Sequence, residues 1–155
     1  ASLDDEAQEI VYKYSYHVGI ATATERGLVV PVLRDADRKS LWQIAAELQD
    51  LTALARSGKL TLSHLQGGTI SISNIGSIGG TFFTPVINYP EVAILGIGKI
   101  MEKPIVTRNR TLAVGSVMAL SLSFDHRVLD GEEVQQAINL MKELLSNPDE
   151  LLMEV

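Results

Sequence analysis

The chain has 155 residues, a length typical of one domain. Apolar residues make up 46% of it and charged residues 21%, which is the composition of a globular protein and not of a disordered or fibrous one. The 13 basic residues are outnumbered by 19 acidic ones, so the net charge is −6, and neither nucleic acid nor an anionic membrane is an expected partner. Cysteine is absent, which excludes disulfides, thiolate metal sites and a cysteine nucleophile and fits a reducing compartment.

Neither a targeting segment nor a metal site is indicated. No apolar run approaches the ~20 residues of a membrane-spanning helix. The first ten residues, ASLDDEAQEI, are acidic, whereas a secretory signal is basic and then apolar. His17, His64 and His126 form no close-spaced pair of metal ligands. We therefore expect a soluble cytoplasmic protein without a bound metal.

The N-terminal part of the chain predicts two strands. Residues 10–23 are rich in β-branched and aromatic types and alternate, which predicts a strand with Tyr12, Tyr14 and Tyr16 packed on one face. A polar turn at 24–27 leads into a returning strand over 28–36. Because Pro31 has no amide hydrogen to donate, we expect it at a sheet edge, a bulge or a gap.

Two helices are predicted from caps and apolar spacing. Ser40 and Gln43 form a capping-box pattern, and apolar residues follow at helical spacing until Gly58 closes the helix. From Gly131 the helical period returns, and it ends before Pro148. Its apolar stripe is formed by Val134, Ala137, Ile138, Met141, Leu144 and Leu145.

The remaining strands are predicted between these helices. Residues 69–76 form one strand, which runs into the glycine-rich segment 77–81. The apolar runs 91–100 and 112–124 are long enough for central strands, and the residues between them suggest a hairpin. Together these strands and helices predict an α+β fold, a two-layer sandwich in which a mixed sheet is covered by amphipathic helices.

Chemistry-bearing residues concentrate in SLSFDHRVLDG, residues 121–131. Asp125 and His126 follow the end of a strand, and a second carboxylate, Asp130, comes four positions after the histidine. A histidine beside acids at a strand end is a candidate general base near neutral pH, and a structural hydrogen-bonding histidine is the alternative. Arg127 is interpreted as a partner in a surface ion pair.

The stretch SFDHRVLDG resembles the active-site motif of the dihydrolipoamide acyltransferase components of 2-oxoacid dehydrogenase complexes, which are chloramphenicol acetyltransferase-like proteins. The segments VGIATATERGLVVPVLRDAD, GGTISISNIGSIGGTFFTPVINYPEVAILGIGKI and NPDELLMEV are similar to the same catalytic domain in the same order. The resemblance implies transfer of an acyl group between dihydrolipoamide and coenzyme A. Acetyl is favoured over branched-chain groups as the acyl group.

The resemblance also implies roles for individual residues. His126 matches the base that takes the proton of the attacking thiol, and Ser73 matches the hydroxyl that donates to the oxyanion, with Ser71 and Ser77 as nearby competitors. Asp130 matches a carboxylate that orders the histidine loop; an N-terminal helix cap is the compatible alternative. Contacts with coenzyme A are expected from Asn74, Gly76, Asp125 and Gly131, and Gly131 is expected to supply a conformation or a close approach that a side chain would block.

The resemblance further implies assembly. Residues 1–155 match the C-terminal larger part of the catalytic domain, without the lipoyl and subunit-binding domains of the full-length relatives. Trimers that assemble into a larger core are expected, with His126 facing Ser73 of a neighbouring copy. The expected partners are the lipoyl domain, which carries the lipoyl group, and the 2-oxoacid decarboxylase and dihydrolipoamide dehydrogenase subunits. An inactive fragment that only scaffolds the assembly is the alternative function.

Overall fold

The computed structural model describes residues 1–107, 109–147 and 149. Within these ranges the chain forms short strands first, then a helical segment, and then a long hairpin that leads into the last helix. The strands are β1 (Ser2–Asp4), β2 (Glu9–Val11), β3 (Val18–Ile20), β4 (Thr22–Thr24), β5 (Gly27–Val29), β6 (Val32–Leu33), β7 (Ile70–Asn74), β8 (Ala93–Val106) and β9 (Leu112–Phe124). The helices are α1 (Leu41–Arg56), α2 (Leu62–Leu65) and α3 (Gly131–Ser146).

A mixed five-stranded sheet organises the fold in the order β6-β3-β7-β8-β9. The three inner strands β3, β7 and β8 are parallel, whereas β6 and β9 run antiparallel to their neighbours. Two short ribbons, β1–β2 and β4–β5, lie outside this sheet. The predicted α+β class with a mixed sheet is therefore confirmed.

The hairpin formed by β8 and β9 is longer than the sequence predicts. Strand β8 continues to Val106, and a turn closed by a hydrogen bond from the Thr107 amide to the Thr111 carbonyl (2.9 Å) returns the chain into β9. The prediction that both are central strands is wrong for β9, which pairs with β8 alone among the described residues. Apolar content does not separate a central strand from an edge strand, because an edge strand can also be covered on its faces.

The prediction of one strand over residues 10–23 is also wrong. The chain forms β2, then an extended segment without a ladder partner, and then β3 and β4. In that segment Tyr12, Tyr14 and Tyr16 are exposed, Tyr14 to 95%, so they do not pack as predicted. Composition identified extended backbone correctly, but whether a segment forms a strand depends on a partner that is distant in sequence.

The returning strand is interrupted at Pro31, as the missing amide hydrogen requires. Strand β5 ends at Val29 and the edge strand β6 begins at Val32, so the prediction of an edge or gap position is confirmed. Pro31 itself is buried, and its carbonyl accepts a hydrogen bond from the Ile20 amide at 2.8 Å. The proline thereby ends one ribbon and starts the edge strand of the main sheet.

Both long helices begin where their caps predict. The Ser40 hydroxyl accepts a hydrogen bond from the Gln43 amide, and the Gln43 side chain accepts one from the Ser40 amide, so the capping box of α1 is formed. Gly58 closes this helix with a positive φ of 67°. In α3, Val134 of the predicted apolar stripe is buried. Ala137 and Leu145 of the same stripe are exposed. None of the helices in the described ranges is long and apolar enough to cross a membrane.

Close backbone approach explains the glycine at position 76. A Cβ atom on Gly76 would lie 2.7 Å from the carbonyl carbon and oxygen of Gly98 and from the amide nitrogen of Lys99. These are backbone atoms of β8, which have no side-chain rotamer with which to yield. A side chain at position 76 would therefore force the turn after β7 away from β8.

We predict that Gly76→Ala lowers the free energy of unfolding by ~1–3 kcal/mol, because the added methyl group overlaps main-chain atoms. The matched control is Gly131→Ala, whose Cβ meets no atom within 4 Å. That variant should stay within about 0.5 kcal/mol of the wild type. Urea unfolding of both variants measures the difference, and equal stabilities would contradict the close-approach explanation.

Candidate active site

His126 lies in a short loop at the end of β9. The strand pairs with β8 as far as Phe124, and the Asp125 amide then donates to the Val92 carbonyl at 2.8 Å. The imidazole is exposed, and its ring centroid is 5.3 Å from that of Phe124. Within the described residues the imidazole makes no hydrogen bond, so both ring nitrogens are free for an external partner.

An ion pair between Asp125 and Arg127, the residues on either side of His126, holds the loop. The Arg127 guanidinium donates to the Asp125 carboxylate through Nη2 (2.7 Å) and Nε (3.0 Å), and its Nη1 reaches Asp5 at 2.8 Å. The Arg127 amide also donates to Asp125 Oδ1 at 3.0 Å. The predicted surface ion pair of Arg127 is confirmed, and Asp125 orients the loop.

These hydrogen bonds favour the charged form of Asp125. The side-chain and backbone hydrogen bonds from Arg127 lower the pKa of the Asp125 carboxyl to about 2. The same contact raises the pKa of the Arg127 guanidinium above its ordinary value. Both groups therefore stay charged at neutral pH.

Asp130 ends the histidine loop and begins α3. Its carboxylate accepts hydrogen bonds from the amides of Glu132 (2.9 Å) and Glu133 (3.0 Å), which is the geometry of an N-terminal cap. The predicted cap is confirmed. The carboxylate also lies at the N-terminal end of the helix dipole.

Ser73 lies at the carboxyl end of β7, in the wall of a cavity of about 430 Å³. The cavity is formed between this strand end, the turn that follows it, β4 and the last turns of α1. The Ser73 hydroxyl is half-buried and makes no hydrogen bond with the described residues. It is therefore available to donate to a molecule in the cavity.

The two competing serines differ in accessibility. The Ser71 side chain is fully buried, and a Cβ atom on Gly19 would lie 2.4 Å from its hydroxyl. Ser71 is thus closed off from any ligand. Ser77 is exposed and lines the same cavity as Ser73.

Asn74 and Gly76 shape the turn after Ser73. The Asn74 side-chain oxygen accepts a hydrogen bond from the Gly76 amide at 2.8 Å, which forms an Asx turn. Asn74 lines the cavity, whereas Gly76 packs against β8. Their predicted contact with coenzyme A stays a prediction.

Gly131 is expected to supply a conformation or a close approach that a side chain would block, and within one chain this prediction is wrong. Gly131 is the first residue of α3, its φ is not positive, and a Cβ atom there meets nothing within 4 Å. Neither a special conformation nor a close neighbour in the same chain demands a glycine. Its predicted contact with coenzyme A stays a prediction.

The sheet register separates Ser73 from His126. Ser73 pairs with Gly96 of β8, and Gly96 pairs with Ser121 of β9, whereas the loop of His126 starts three residues later, after Phe124. Two strand spacings across the sheet and three residues along it put the Cα atoms of Ser73 and Phe124 roughly 14 Å apart. One chain therefore does not bring the two predicted catalytic side chains together.

The other two histidines have backbone partners. The Asp35 amide donates to His17 Nδ1 at 2.9 Å, and the Thr61 amide donates to His64 Nδ1 at 3.1 Å. Both imidazoles thus satisfy main-chain groups of the fold. Among the three, His126 alone has no such bond in the part of the chain that the structure describes.

Sequence analysis missed three polar residues that line the Ser73 cavity, Thr22, Thr52 and Arg56. Thr22 is the first residue of β4, and the other two lie one helical turn apart on α1. The sequence around these three residues predicts a strand and a helix and nothing more. Their approach to Ser73 depends on the packing of α1 against the β4 ribbon, for which the sequence offers no local signal.

A model of the 2-oxoacid dehydrogenase acyltransferase catalytic domain matches residues 1–153 of the chain. The chain therefore belongs to this family. Its fold is that of the acyltransferase cores of the chloramphenicol acetyltransferase-like class.

Among curated proteins, the chain is 56% identical over 153 residues to the dihydrolipoyllysine-residue acetyltransferase component of the Staphylococcus aureus pyruvate dehydrogenase complex. The corresponding Staphylococcus epidermidis protein is 54% identical. Each match covers 99% of this chain but 35% of the relative, so the chain spans about a third of the length of these proteins.

Solved structures agree in fold. The dihydrolipoamide acetyltransferase of Azotobacter vinelandii superimposes with a TM-score of 0.92 at 42% identity, over 97% of this chain and 62% of that one. A truncated catalytic core of the 2-oxoacid dehydrogenase complex from Thermoplasma acidophilum gives 0.83 at 41% identity, over 95% of this chain and 64% of that one. The Azotobacter structure was used to investigate the catalytic roles of a serine, a histidine and an asparagine four residues after that histidine.

We predict that the Asp125 carboxyl titrates with a midpoint near 2, measured by NMR of the carboxyl carbon. Because its folded pKa lies below the unfolded value of ~3.9, the ion pair stabilises the fold above pH 4 and loses this effect as the pH falls from about 4 to 2. Asp125→Asn should abolish that part of the acid dependence. A midpoint at the ordinary aspartate value would contradict the ion pair in solution.

We predict that Asp130→Ala lowers the free energy of unfolding by ~1 kcal/mol, because two amides of α3 lose their acceptor. Asp130→Asn is the matched variant, since asparagine is also a good cap and is the residue type found four positions after the histidine in the Azotobacter protein. It should keep the wild-type stability. A loss of stability in Asp130→Asn equal to that in Asp130→Ala would show that the charge, and not the hydrogen bonds of the cap, stabilises the helix.

Proposed function

We propose that this chain is part of the catalytic domain of a dihydrolipoyllysine-residue acetyltransferase, which moves an acetyl group between dihydrolipoamide and coenzyme A. The observation that carries the proposal is an exposed His126 that makes no hydrogen bond with the described residues, in a loop held by the Asp125–Arg127 ion pair, within a chain of this family. The acetyl group is supported by the activity named for the relatives. Coenzyme A and the dihydrolipoyl group enter as substrates.

In the proposed reaction, His126 acts as general base. One imidazole nitrogen accepts the proton of the attacking thiol, because a thiol with a pKa near 8.5 is mostly protonated at neutral pH. The thiolate sulfur attacks the carbonyl carbon of the acetyl thioester and forms the new carbon–sulfur bond. When the tetrahedral intermediate collapses, the old carbon–sulfur bond breaks and the leaving sulfur takes the proton back from the imidazolium.

Ser73 stabilises the intermediate in this proposal. Attack places negative charge on the carbonyl oxygen, and one well-placed donor to such an oxyanion contributes about 3–4 kcal/mol to transition-state stabilisation. The Ser73 hydroxyl is free of other partners and faces a cavity large enough for the acyl and thiol groups. No group is transferred to the protein, in keeping with the absence of cysteine.

The active site is proposed to form between two copies of the chain. Within one chain the register separates Ser73 from the His126 loop by roughly 14 Å, which no side-chain rotation bridges. Each copy would supply His126 at one edge and Ser73 at the other, and such a head-to-tail contact forms a ring when the rotation between copies closes. A trimer within a larger core is part of this proposal. The larger core is supported by the solved cubic core of a pyruvate dehydrogenase multienzyme complex, on which the chain superimposes with a TM-score of 0.92 at 41% identity, over 97% of this chain and 62% of that one.

The wider assembly also belongs to this proposal. A lipoyl domain would deliver the dihydrolipoyl group, and 2-oxoacid decarboxylase and dihydrolipoamide dehydrogenase subunits would bind to the core, as expected for a component of a pyruvate dehydrogenase complex. The cytoplasmic location expected from the sequence stays a prediction.

Co-assembly of two inactive variants tests the proposal. Ser73→Ala and His126→Ala should each lose acetyl transfer from acetyl-coenzyme A to dihydrolipoamide by at least about 100-fold, the effect of removing one catalytic group. After joint unfolding and reassembly in equal amounts, about a quarter of the interfaces regain an intact serine and histidine, so about a quarter of the activity should return. The assay is made on the assembled full-length protein.

Three controls make this test decisive. Each variant mixed with itself should stay inactive. Ser77→Ala, which changes a serine on the same cavity, should keep its activity and so tests the choice of Ser73. Activity with an isobutyryl donor above that with an acetyl donor would contradict the acetyl assignment, and near-normal transfer by His126→Ala would contradict the mechanism.

A further inference from the structure

The β1–β2 ribbon contacts the loop that carries His126. Asp5, in the turn between β1 and β2, accepts a hydrogen bond from Arg127 Nη1 at 2.8 Å, across 122 residues of sequence. The other side of the same guanidinium donates to Asp125 through Nη2 and Nε. Arg127 therefore joins a carboxylate of the ribbon to a carboxylate of the loop, and His126 lies between the two loop residues that carry these charges.

The ribbon is also attached to the base of this loop. Ser2 forms an antiparallel bridge with Glu91, and both residues are buried. The next residue, Val92, accepts the hydrogen bond from the Asp125 amide at 2.8 Å. This segment contacts the ribbon through one residue and the loop through the next, so the ribbon is held beside the loop at a second point.

Hydrogen bonds within the turn of the ribbon fix the backbone of Asp5. The Asp4 carboxylate accepts hydrogen bonds from the amides of Glu6 (3.1 Å) and Ala7 (2.9 Å), which form an Asx turn. Asp5 lies between the acceptor of these bonds and their first donor. Its carboxylate is therefore presented to Arg127 from a backbone with little freedom.

We infer that Asp5 is a positioning residue for His126 in acetyl transfer and acts through Arg127 and Asp125. This inference rests on the proposed function. A guanidinium with one carboxylate partner can turn about it, whereas a second carboxylate at a fixed place selects one orientation, because the fork of N–H groups is planar and rigid. The loop follows this orientation, since Asp125 also accepts the Arg127 amide at 3.0 Å.

The exposure of the two contacts determines the size of the expected effect. The Arg127 side chain is 61% exposed and Asp5 51%, whereas Asp125 is 21% exposed. Exposed ion pairs are weak in water, so loss of Asp5 should leave the inner pair formed and reduce the correctly oriented loop population by a small factor. Loss of the guanidinium fork should release both carboxylates and have the larger effect.

Steady-state kinetics of the assembled full-length protein tests the inference with Asp5→Ala. The kcat of acetyl transfer from acetyl-coenzyme A to dihydrolipoamide should fall about threefold. The KM of each substrate should stay within about twofold, because the position of the base affects the transition state and not the binding of either substrate. Asp5→Glu should recover most of the lost kcat, since it keeps the carboxylate.

The matched control is Glu6→Ala, which removes a carboxylate from the next position of the same turn. The Glu6 side chain is exposed and makes no hydrogen bond or ion pair with the described residues, so kcat should not change. A raised KM with unchanged kcat in Asp5→Ala would assign Asp5 to substrate binding and would overturn the inference. A lower melting temperature with unchanged kcat would assign it to stability alone, with the same consequence.

A double-mutant cycle determines whether Asp5 acts through Arg127. Arg127→Lys keeps the charge but lacks the fork that spans both carboxylates, and it should lower kcat about tenfold. Adding Asp5→Ala to Arg127→Lys should lower kcat by less than about 1.5-fold more, because the connection is already broken. An equal effect of Asp5→Ala in the two backgrounds would overturn the inference.

Hydrogen exchange of the loop amides, residues 125–130, separates this inference from the proposed function. Asp5→Ala should speed their exchange about threefold, and Glu6→Ala should not. If the wild type transfers acetyl groups and Asp5→Ala keeps the wild-type kcat, the inference is overturned and the proposed function stands. If His126→Ala keeps acetyl transfer, the proposed function fails; faster exchange in Asp5→Ala then still supports the hold of the ribbon on the loop, and unchanged exchange overturns it.

Discussion

The register of β8 against its two neighbours determines where this chain can support chemistry. The strand pairs in parallel with β7, which carries Ser73, and antiparallel with β9, which leads to His126. Parallel neighbours end at the same edge of a sheet, whereas an antiparallel neighbour ends at the opposite edge. Ser73 lies near the end of a strand that runs parallel to β8, and His126 follows a strand that runs antiparallel to it, so the two side chains lie toward opposite edges of the sheet.

This register is held by close packing on β8. A Cβ atom on Gly96 would lie 2.9 Å from the Phe83 ring, and one on Gly98 would lie 1.9 Å from the Thr81 carbonyl oxygen. The segment that follows the glycine-rich turn therefore lies directly on the strand. A shift of the register by one residue would place side chains where these glycines now are. It would also turn all the side chains of the strand to the opposite face of the sheet.

The sequence predicted those features that depend on neighbouring residues. The cap at Ser40, the cap at Asp130 and the strand end before Asp125 have local signals, and each is confirmed. Features that depend on distant pairing were wrong, namely the single strand over residues 10–23 and the central position of β9. The separation of Ser73 from His126 was expected from the family resemblance alone. The register between strands that are distant in sequence cannot be predicted from the composition or the periodicity of the residues.

Under the proposed function, a site divided between two edges of the sheet makes catalysis depend on assembly. A head-to-tail contact joins the His126 edge of one copy to the Ser73 edge of the next and so completes one site. One edge at each end of the assembly stays without a partner until the ring closes. An open dimer would hold one complete site for two chains, whereas a closed ring holds one for each chain. Under the proposed function, ring closure therefore raises the activity per chain as well as the stability. In that proposal, the hydrogen bonds between Asp125 and Arg127 and the cap at Asp130 hold the loop of His126 in one chain, so that the imidazole is already positioned when a second copy binds.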